Sequence, residues 1–271
     1  MKNYLEYRIP CPQGEEREIL IARLTGFGFE GFEESGVDIL ASAEEGVVNE
    51  MELEECLRGL SISFEKATVP GQNWNALWES NYQPVVVGDF ACIRAHFHQP
   101  IPGVQFDIQV TPKMSFGTGH HATTRQMIEL MQGLPIRGKR VFDFGTGTGV
   151  LAILASKMGA EGVEAIDNDE WSITNAGENI EVNQVGDKIS LALADNLDGV
   201  KSSDIVLANI NKHILMGYLP QLGQIMRPGG YLVLSGLLAG DEFDIEQAAN
   251  NIGLKKWKRS ELNNWIALLF R

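Results

Sequence analysis

The sequence predicts an α/β protein in two parts: a small α+β sandwich over residues 1–69 and a larger parallel-sheet domain over residues 83–271, joined by a linker over 70–82. Three observations predict it. The first 69 residues alternate short segments in the order β-α-β-β-α-β, which suits a small two-layer sandwich. From His121 onward strand-like and helix-like segments alternate regularly, which implies a parallel sheet covered on both faces. Between one of those strands and its helix lies a turn with glycines at 145, 147 and 149.

The elements follow in order. Asn3 to Ile9 reads as extended, with Leu5, Tyr7 and Ile9 on one side and Tyr4, Glu6 and Arg8 on the other. Glu15 to Leu24 reads as an amphipathic helix with Ile19, Ala22 and Arg23 close together and Gly26 as its stop. Phe27 to Phe32 and Val37 to Ala41 read as strands about a turn at Glu33 to Gly36. Glu50 to Leu60 is the second helix, and Ile62 to Val69 the next strand. Pro70, Gly71 and Gln72 break the pattern, and Trp74 and Trp78 would share one helical face that packs the linker. Short strands follow in PVVV, FACIRA and FDIQV.

The larger domain then reads as helix His121 to Gln132, strand Arg140 to Phe144 and helix Val150 to Met158. Strand Gly162 to Ile166, helix Glu170 to Asn183, and strands Ile189 to Ala194 and Ile205 to Ala208 come next. Helix His213 to Met226, a turn at Pro228-Gly229-Gly230, strand Tyr231 to Ser235 and helix Asp241 to Asn251 follow. Two final strands about Leu262-Asn263-Asn264 suggest an antiparallel hairpin at one sheet edge.

Composition limits the function. The chain has 271 residues, 44% hydrophobic and 21% charged, enough to bury a core without staples. Mean hydropathy is −0.08 and no apolar run is long enough for a membrane span. Glu6 and Arg8 interrupt any signal-peptide core. Cys11, Cys56 and Cys92 are odd in number and far apart, so no disulfide framework or zinc site is expected, and the compartment is a reducing cytosol. His96 and His98 would share a strand face, but no third ligand makes them a metal site. The net charge of −14 disfavours general binding to nucleic acid. Residues 1–60 carry five basic and fourteen acidic side chains, a net −9, which reads either as a solvated surface or as a docking face for a basic partner.

The chemistry is concentrated in VFDFGTGTGVLAI, residues 141–153. Gly145 permits a tight turn, Gly147 a close approach of ligand to backbone, and Gly149 close packing of the helix start on the sheet. A dinucleotide fingerprint would need glycine at 150, where Val150 stands. Asp143, just before the turn, would repel phosphate but could accept a bond from an amino-bearing or cationic ligand. Asp167, at the end of the next strand, can accept bonds from both hydroxyls of a ribose. A ligand with ribose hydroxyls, an amine and no phosphate describes S-adenosylmethionine. In TPKMSFGTGHHATT, residues 111–124, Thr123 and Thr124 either cap a helix or reach a ligand. Met114 and Phe116 there either line a donor pocket or pack the loop. Asn209 ends the fourth parallel strand, at the same crevice, as a turn former or a group that orients substrate.

FDFGTGTGVLAI, AIDND, LANI and above all FGTGHHATT resemble the ribosomal protein L11 methyltransferase family, PrmA. NWNALWESNYQPVVVGD resembles that family's linker and the opening of its catalytic domain, so the likeness covers roughly residues 73–271, with GFGFEGFEE a fainter match before it. The resemblance implies a seven-stranded, Rossmann-like class I methyltransferase domain preceded by a small ferredoxin-like domain. It implies methylation of lysine side chains and the N-terminal amine of a large-subunit ribosomal protein, with S-adenosylmethionine as donor. Its donor contacts map to Thr124, Gly145, Asp167 and Asn209, with no metal, and Gly147 joins them in the expected donor-binding set from its place in the turn. The acidic N-terminal domain would dock the basic substrate, and the protein would be a cytoplasmic monomer. The sequence departs from the family at Thr111-Pro112-Lys113 and His120-His121-Ala122, which touches the wall near the donor.

Asn209 is the expected catalytic residue, its oxygen aiming the amine; of His120 and His121, one is better read as packing at a helix start and the other as exposed, rather than either as a general base. Release-factor glutamine methyltransferases carry N-P-P-Y where this chain has Asn209-Ile210-Asn211-Lys212. An NAD-dependent oxidoreductase is disfavoured by Val150 and Asp143, and a non-enzymatic module by the pairing of Asp143 with Asp167.

Overall fold

The computed structural model describes residues 4–11, 15–35, 37–60, 62–69, 82–111 and 121–271. The chain divides into two compact units, Met1–Tyr82 and Gln83–Arg271. Trp74, Trp78, Met114, Phe116 and His120 lie outside the described residues.

The first unit has the order β1 (Tyr4–Pro10), α1 (Glu15–Gly26), β2 (Gly31–Ser35), β3 (Asp38–Glu44), α2 (Glu50–Arg58) and β4 (Glu65–Val69). The strands form an antiparallel sheet in the order β2-β3-β1-β4. Alternation in β1 works as read: Leu5, Tyr7 and Ile9 enter a core with Leu20 and Leu24 of α1 and Leu53 and Leu57 of α2. The buried face of α1 differs from the expected one, because Ile19 is half exposed while Leu20 and Leu24 point inward. Phe27 and Gly28 are not strand; their amides bond back to Leu24 and Thr25 and finish the helix. The expected turn at Glu33 to Gly36 is shorter than read, since Glu33 and Glu34 pair with Leu40 and Ile39 and the hairpin closes between Ser35 and Asp38. Tyr7 donates to Glu50 Oε1, which also pairs with Lys66, tying both ends of the unit to its centre.

The second unit opens with β5 (Val85–Val87), β6 (Ala91–Ala95) and β7 (Phe106–Val110) in a separate three-stranded sheet. Arg94 reaches across it with two 2.8 Å bonds to Asp107. Strand β6 stops at Ala95, so His96 and His98 lie in a turn and not on one strand face; His98 Nδ1 accepts from the Ala95 amide instead.

The remaining elements are α3 (Ala122–Gln132), β8 (Arg140–Phe144), α4 (Val150–Lys157), β9 (Gly162–Asp167), α5 (Glu170–Val182), β10 (Ile189–Leu193), β11 (Ser203–Asn209), α6 (Lys212–Ile225), β12 (Met226–Leu238), α7 (Glu242–Asn251), β13 (Lys256–Leu262) and β14 (Trp265–Phe270). Seven strands order as β10-β9-β8-β11-β12-β14-β13. The first five run parallel, and β14 is antiparallel to both β12 and β13. Asn263 and Asn264 adopt φ of 52° and 66°, the left-handed pair that closes a two-residue hairpin with matching twist.

Both sheet faces are dry. Val141, Ile205, Leu207 and Leu269 face Met127, Ile153 and Ile180 of α3, α4 and α5. Phe142, Val206, Leu234 and Phe270 face Leu215, Leu219, Leu222 and Ile245 of α6 and α7. Residues that alternate between two cores explain why these strands read as continuous apolar runs. Strand β12 is longer than expected: Met226 already pairs with Ser203, and Pro228-Gly229-Gly230 is held in a bulge before Tyr231 meets Ile205.

Candidate active site

Strands β9, β8 and β11 are neighbours, and their carboxyl ends carry Asp167, the glycine turn and Asn209. The order reverses between β8 and β11, where open α/β sheets form a binding crevice. Phe144 pairs with Ile166 on one side and Ala208 on the other, which sets Gly145 between Asp167 and Asn209.

The turn is built from backbone bonds. The amides of Gly145 and Thr146 both donate to the Ile166 carbonyl at 3.0 Å. Gly145 has φ of 73°, and a Cβ there would lie 2.4 Å from Cγ2 of Ile210, so the residue after Asn209 packs directly on the turn. Gly149 has φ of 79°, and a Cβ on it would meet Ala176 of α5 at 3.3 Å. The close packing expected at Gly149 is therefore against a helix, not the sheet. Gly147, at φ of 56°, donates its amide to Asp167 Oδ2 at 2.8 Å.

Asp167 Oδ1 accepts the Asp169 amide at 3.1 Å. Each carboxylate oxygen thus holds one backbone N–H and keeps a second acceptor site. Asp169 caps α5 through the amide and hydroxyl of Ser172, and those bonds lower its pKa.

Asp143 is fully buried. Its Oδ2 accepts from Thr146 Oγ1 at 2.7 Å, while Oδ1 has no hydrogen-bond partner among the described residues. Burial pushes its pKa up to about 7, aided by the negative charge of Asp167 and opposed by the Thr146 bond.

Thr124 and Asn209 are brought together, with Asn209 Nδ2 donating to Thr124 Oγ1 at 3.4 Å. Nothing among the described residues bonds Asn209 Oδ1. His121 heads α3: its Nδ1 accepts the Thr123 amide, and its ring lies edge-on to Trp265 with centroids 4.6 Å apart. Among the described residues no group of three or more His, Cys, Asp or Glu could hold a metal. No helix of the described residues is long and apolar enough to cross a membrane.

Several contributors are absent from the sequence reading. Gly236, at φ of 82°, sits in a bulge of β12 where a Cβ would lie 2.2 Å from the Ile210 carbonyl oxygen. Asn211 caps α6 through Ile214, and Lys212 pairs with Asp241 and Asp244, so the chain after Asn209 is anchored three ways. Asn175, Asn179 and Asn183 form a ladder along α5 to the backbone of Gln109, Thr111 and Thr148. Three asparagines at four-residue spacing, a residue type helices do not favour, was the available signal.

The family model described as ribosomal protein L11 methyltransferase (PrmA) matches residues 33–271. The ribosomal protein L11 methyltransferase of Phocaeicola vulgatus is 36% identical over 98% of each chain. That of Bacteroides fragilis is 38% identical over 96% of this chain and 95% of its own. Among solved structures, the ribosomal protein L11 methylase of Lactobacillus delbrueckii subsp. bulgaricus matches with a TM-score of 0.66 and 30% identity, over 70% of this chain and 98% of that one. With a mainly parallel seven-stranded methyltransferase sheet and likeness along nearly its whole length, the chain belongs to the ribosomal protein L11 methyltransferase family.

Proposed function

We propose that the protein transfers methyl groups from S-adenosylmethionine to lysine side-chain and N-terminal amines of ribosomal protein L11. The observation that carries the reading is Asn209 Oδ1, an acceptor with no bond among the described residues, at the strand end beside the glycine turn.

The residues present fit the donor. Asp143 Oδ1 is a buried acceptor that lacks a partner among the described residues and suits an ammonium group. The spare acceptor sites on Asp167 suit ribose hydroxyls. Gly145, Gly147, Thr124 and Asn209 complete the binding set. When bound, S-adenosylmethionine supplies an electrophilic methyl group on a sulfonium sulfur.

The protein's own task is alignment. A free lysine has a pKa near ~10.4 and is largely protonated at neutral pH, so the amine must shed its proton before attack. Desolvation and a nearby positive charge both favour the neutral form. Asn209 Oδ1 then accepts an N–H of the amine and aims the nitrogen lone pair. Asn209 would hold the amine toward the methyl group that the bound donor supplies, and the proton released from nitrogen would pass to solvent. No strong base is needed, and the rate gain comes mainly from proximity and orientation.

The first unit, residues 1–69, is read as ferredoxin-like on its β-α-β-β-α-β order and antiparallel sheet. Residues 70–82 are read as the linker and 83–271 as the donor-binding domain. The net −9 of residues 1–60 suits docking of a basic ribosomal protein to the first unit. The protein is read as a cytoplasmic monomer that does not bind nucleic acid directly.

Incubation with labelled S-adenosylmethionine and unmethylated L11, followed by mass spectrometry, tests the reading. Label on lysine or the N-terminal amine supports it. Intact donor binding without label on L11 would overturn the substrate assignment, and label on glutamine would overturn the reaction class.

A further inference from the structure

Helix α5 lies under the donor turn, and one of its side chains touches two parts of the site at once. Asn179 is fully buried. Its Nδ2 donates to the Thr148 carbonyl at 2.8 Å, and its Oδ1 accepts the Thr111 amide at 2.7 Å. The Thr148–Gly149 peptide is held from both ends, because the Gly149 amide donates to the Thr146 carbonyl at 2.9 Å. Ala176, three residues before Asn179 on the same face, is the contact that Gly149 leaves room for.

The neighbouring rungs behave differently. Asn183 exchanges bonds with both backbone groups of Gln109 in β7, at 3.1 and 2.6 Å, and Asn175 donates to the Thr111 carbonyl at 3.1 Å. Among the described residues Asn183 has no bond to the glycine turn. The three amides together pair with β7 and Thr111 much as a neighbouring strand would, and Asn179 extends that pairing into residues 145–149.

We propose that Asn179 is a positioning residue for the donor site, fixing the glycine turn relative to Thr111 so that the turn's amides meet the donor in one geometry. This rests on the S-adenosylmethionine reading. Its chemistry is specific, because one amide must both donate and accept. Alanine removes both bonds. Aspartate keeps an acceptor for the Thr111 amide but turns a second oxygen toward the Thr148 carbonyl, where only a protonated carboxyl could donate.

The test measures affinity for S-adenosylhomocysteine by calorimetry and melting temperature, in the full-length protein. Asn179→Ala should weaken binding roughly tenfold, the size of one buried hydrogen bond acting through the turn. Asn183→Ala should lower the melting temperature about as much as Asn179→Ala does while leaving affinity within about twofold, since it removes two bonds to β7 and one to the Asn179 carbonyl but leaves the Asn179 side chain in place. Asn179→Asp should bind weakly at pH 8 and recover toward wild-type affinity as the pH is lowered and its carboxyl gains a proton. If Asn179→Ala does not fold, the pH profile of Asn179→Asp carries the test. Equal loss of affinity in the Asn179 and Asn183 variants, or no loss in either, would overturn the proposal and reduce Asn179 to a structural peg. Absence of binding by the wild-type protein would overturn the donor reading itself, and this inference with it.

Discussion

The Gly147 amide points at Asp167 Oδ2 from 2.8 Å, so the carboxylate at the end of β9 holds the middle of the glycine turn. One side chain therefore orders the turn and presents acceptors beside it. Asp167→Ala should weaken S-adenosylmethionine binding by about 1.5–3 kcal/mol, the value of hydrogen bonds to a charged acceptor. Unchanged affinity by calorimetry would remove Asp167 from the donor site.

Asn209→Ala should leave the donor side nearly intact, because the bond lost within the protein is a long one to Thr124, 3.4 Å. Turnover should fall about a hundredfold from lost orientation of the amine. Affinity for S-adenosylhomocysteine should change only a few-fold. Equal losses in turnover and affinity would reduce Asn209 to a donor-binding residue.

Asp143 makes a stability cost that depends on pH. Its pKa is raised from 3.8 to about 7 by burial, so between those values the folded chain holds a proton that the unfolded chain releases. Stability attributable to this group is present below pH 3.8 and is lost as the pH rises to about 7, after which the loss levels off. Asp143→Asn cannot titrate. Its unfolding free energy, compared with wild type at each pH, should gain on the order of 2–4 kcal/mol between pH 4 and pH 8. Parallel pH–stability curves for the two proteins would show that the carboxyl does not titrate in this range.

Gly236→Ala tests the anchor beneath the acceptor loop. A Cβ at 2.2 Å from the Ile210 carbonyl oxygen meets backbone, which cannot rotate away, and the left-handed φ of 82° adds strain. Loss of roughly 2 kcal/mol or more in stability is expected, together with a fall in turnover as Asn209 shifts. A variant with wild-type melting temperature and rate would show that the loop tolerates displacement.

What the sequence disclosed and what it hid follow from how local each signal is. Strand β8 and its turn were legible because Arg140 to Phe144 and the three glycines are contiguous. The Asn263-Asn264 hairpin was legible because two left-handed residues announce it. The start of Phe27 to Phe32 misled, since alternating aromatics and glycines mimic a strand while Phe27 and Gly28 still complete α1; Gly31 and Phe32 do begin β2. The bulge in β12 was hidden because Pro228-Gly229-Gly230 looks like a turn ahead of a strand already begun at Met226. The need for glycine at 236 depends on Ile210, and the asparagine ladder depends on Gln109 and Thr111. Those pairings exist only once the chain has folded. The placement of Asp143, Asp167 and Asn209 at adjacent strand ends was predictable from parallel alternation, whereas their bonds to Thr146, Gly147 and Thr124 were not.

The His121–Trp265 contact gives the protein an optical reporter of its own. An imidazole edge against an indole perturbs its fluorescence, and His121 heads the helix that carries Thr123 and Thr124. Trp171 and Trp257 are largely exposed, at 80% and 56%, whereas Trp265 is half buried. A change at the head of α3 is thus written into the emission of Trp265, and the difference spectrum against Trp265→Phe isolates it. Occupancy of the neighbouring crevice can be followed in unlabelled protein, in real time, from a residue in the last strand of the chain.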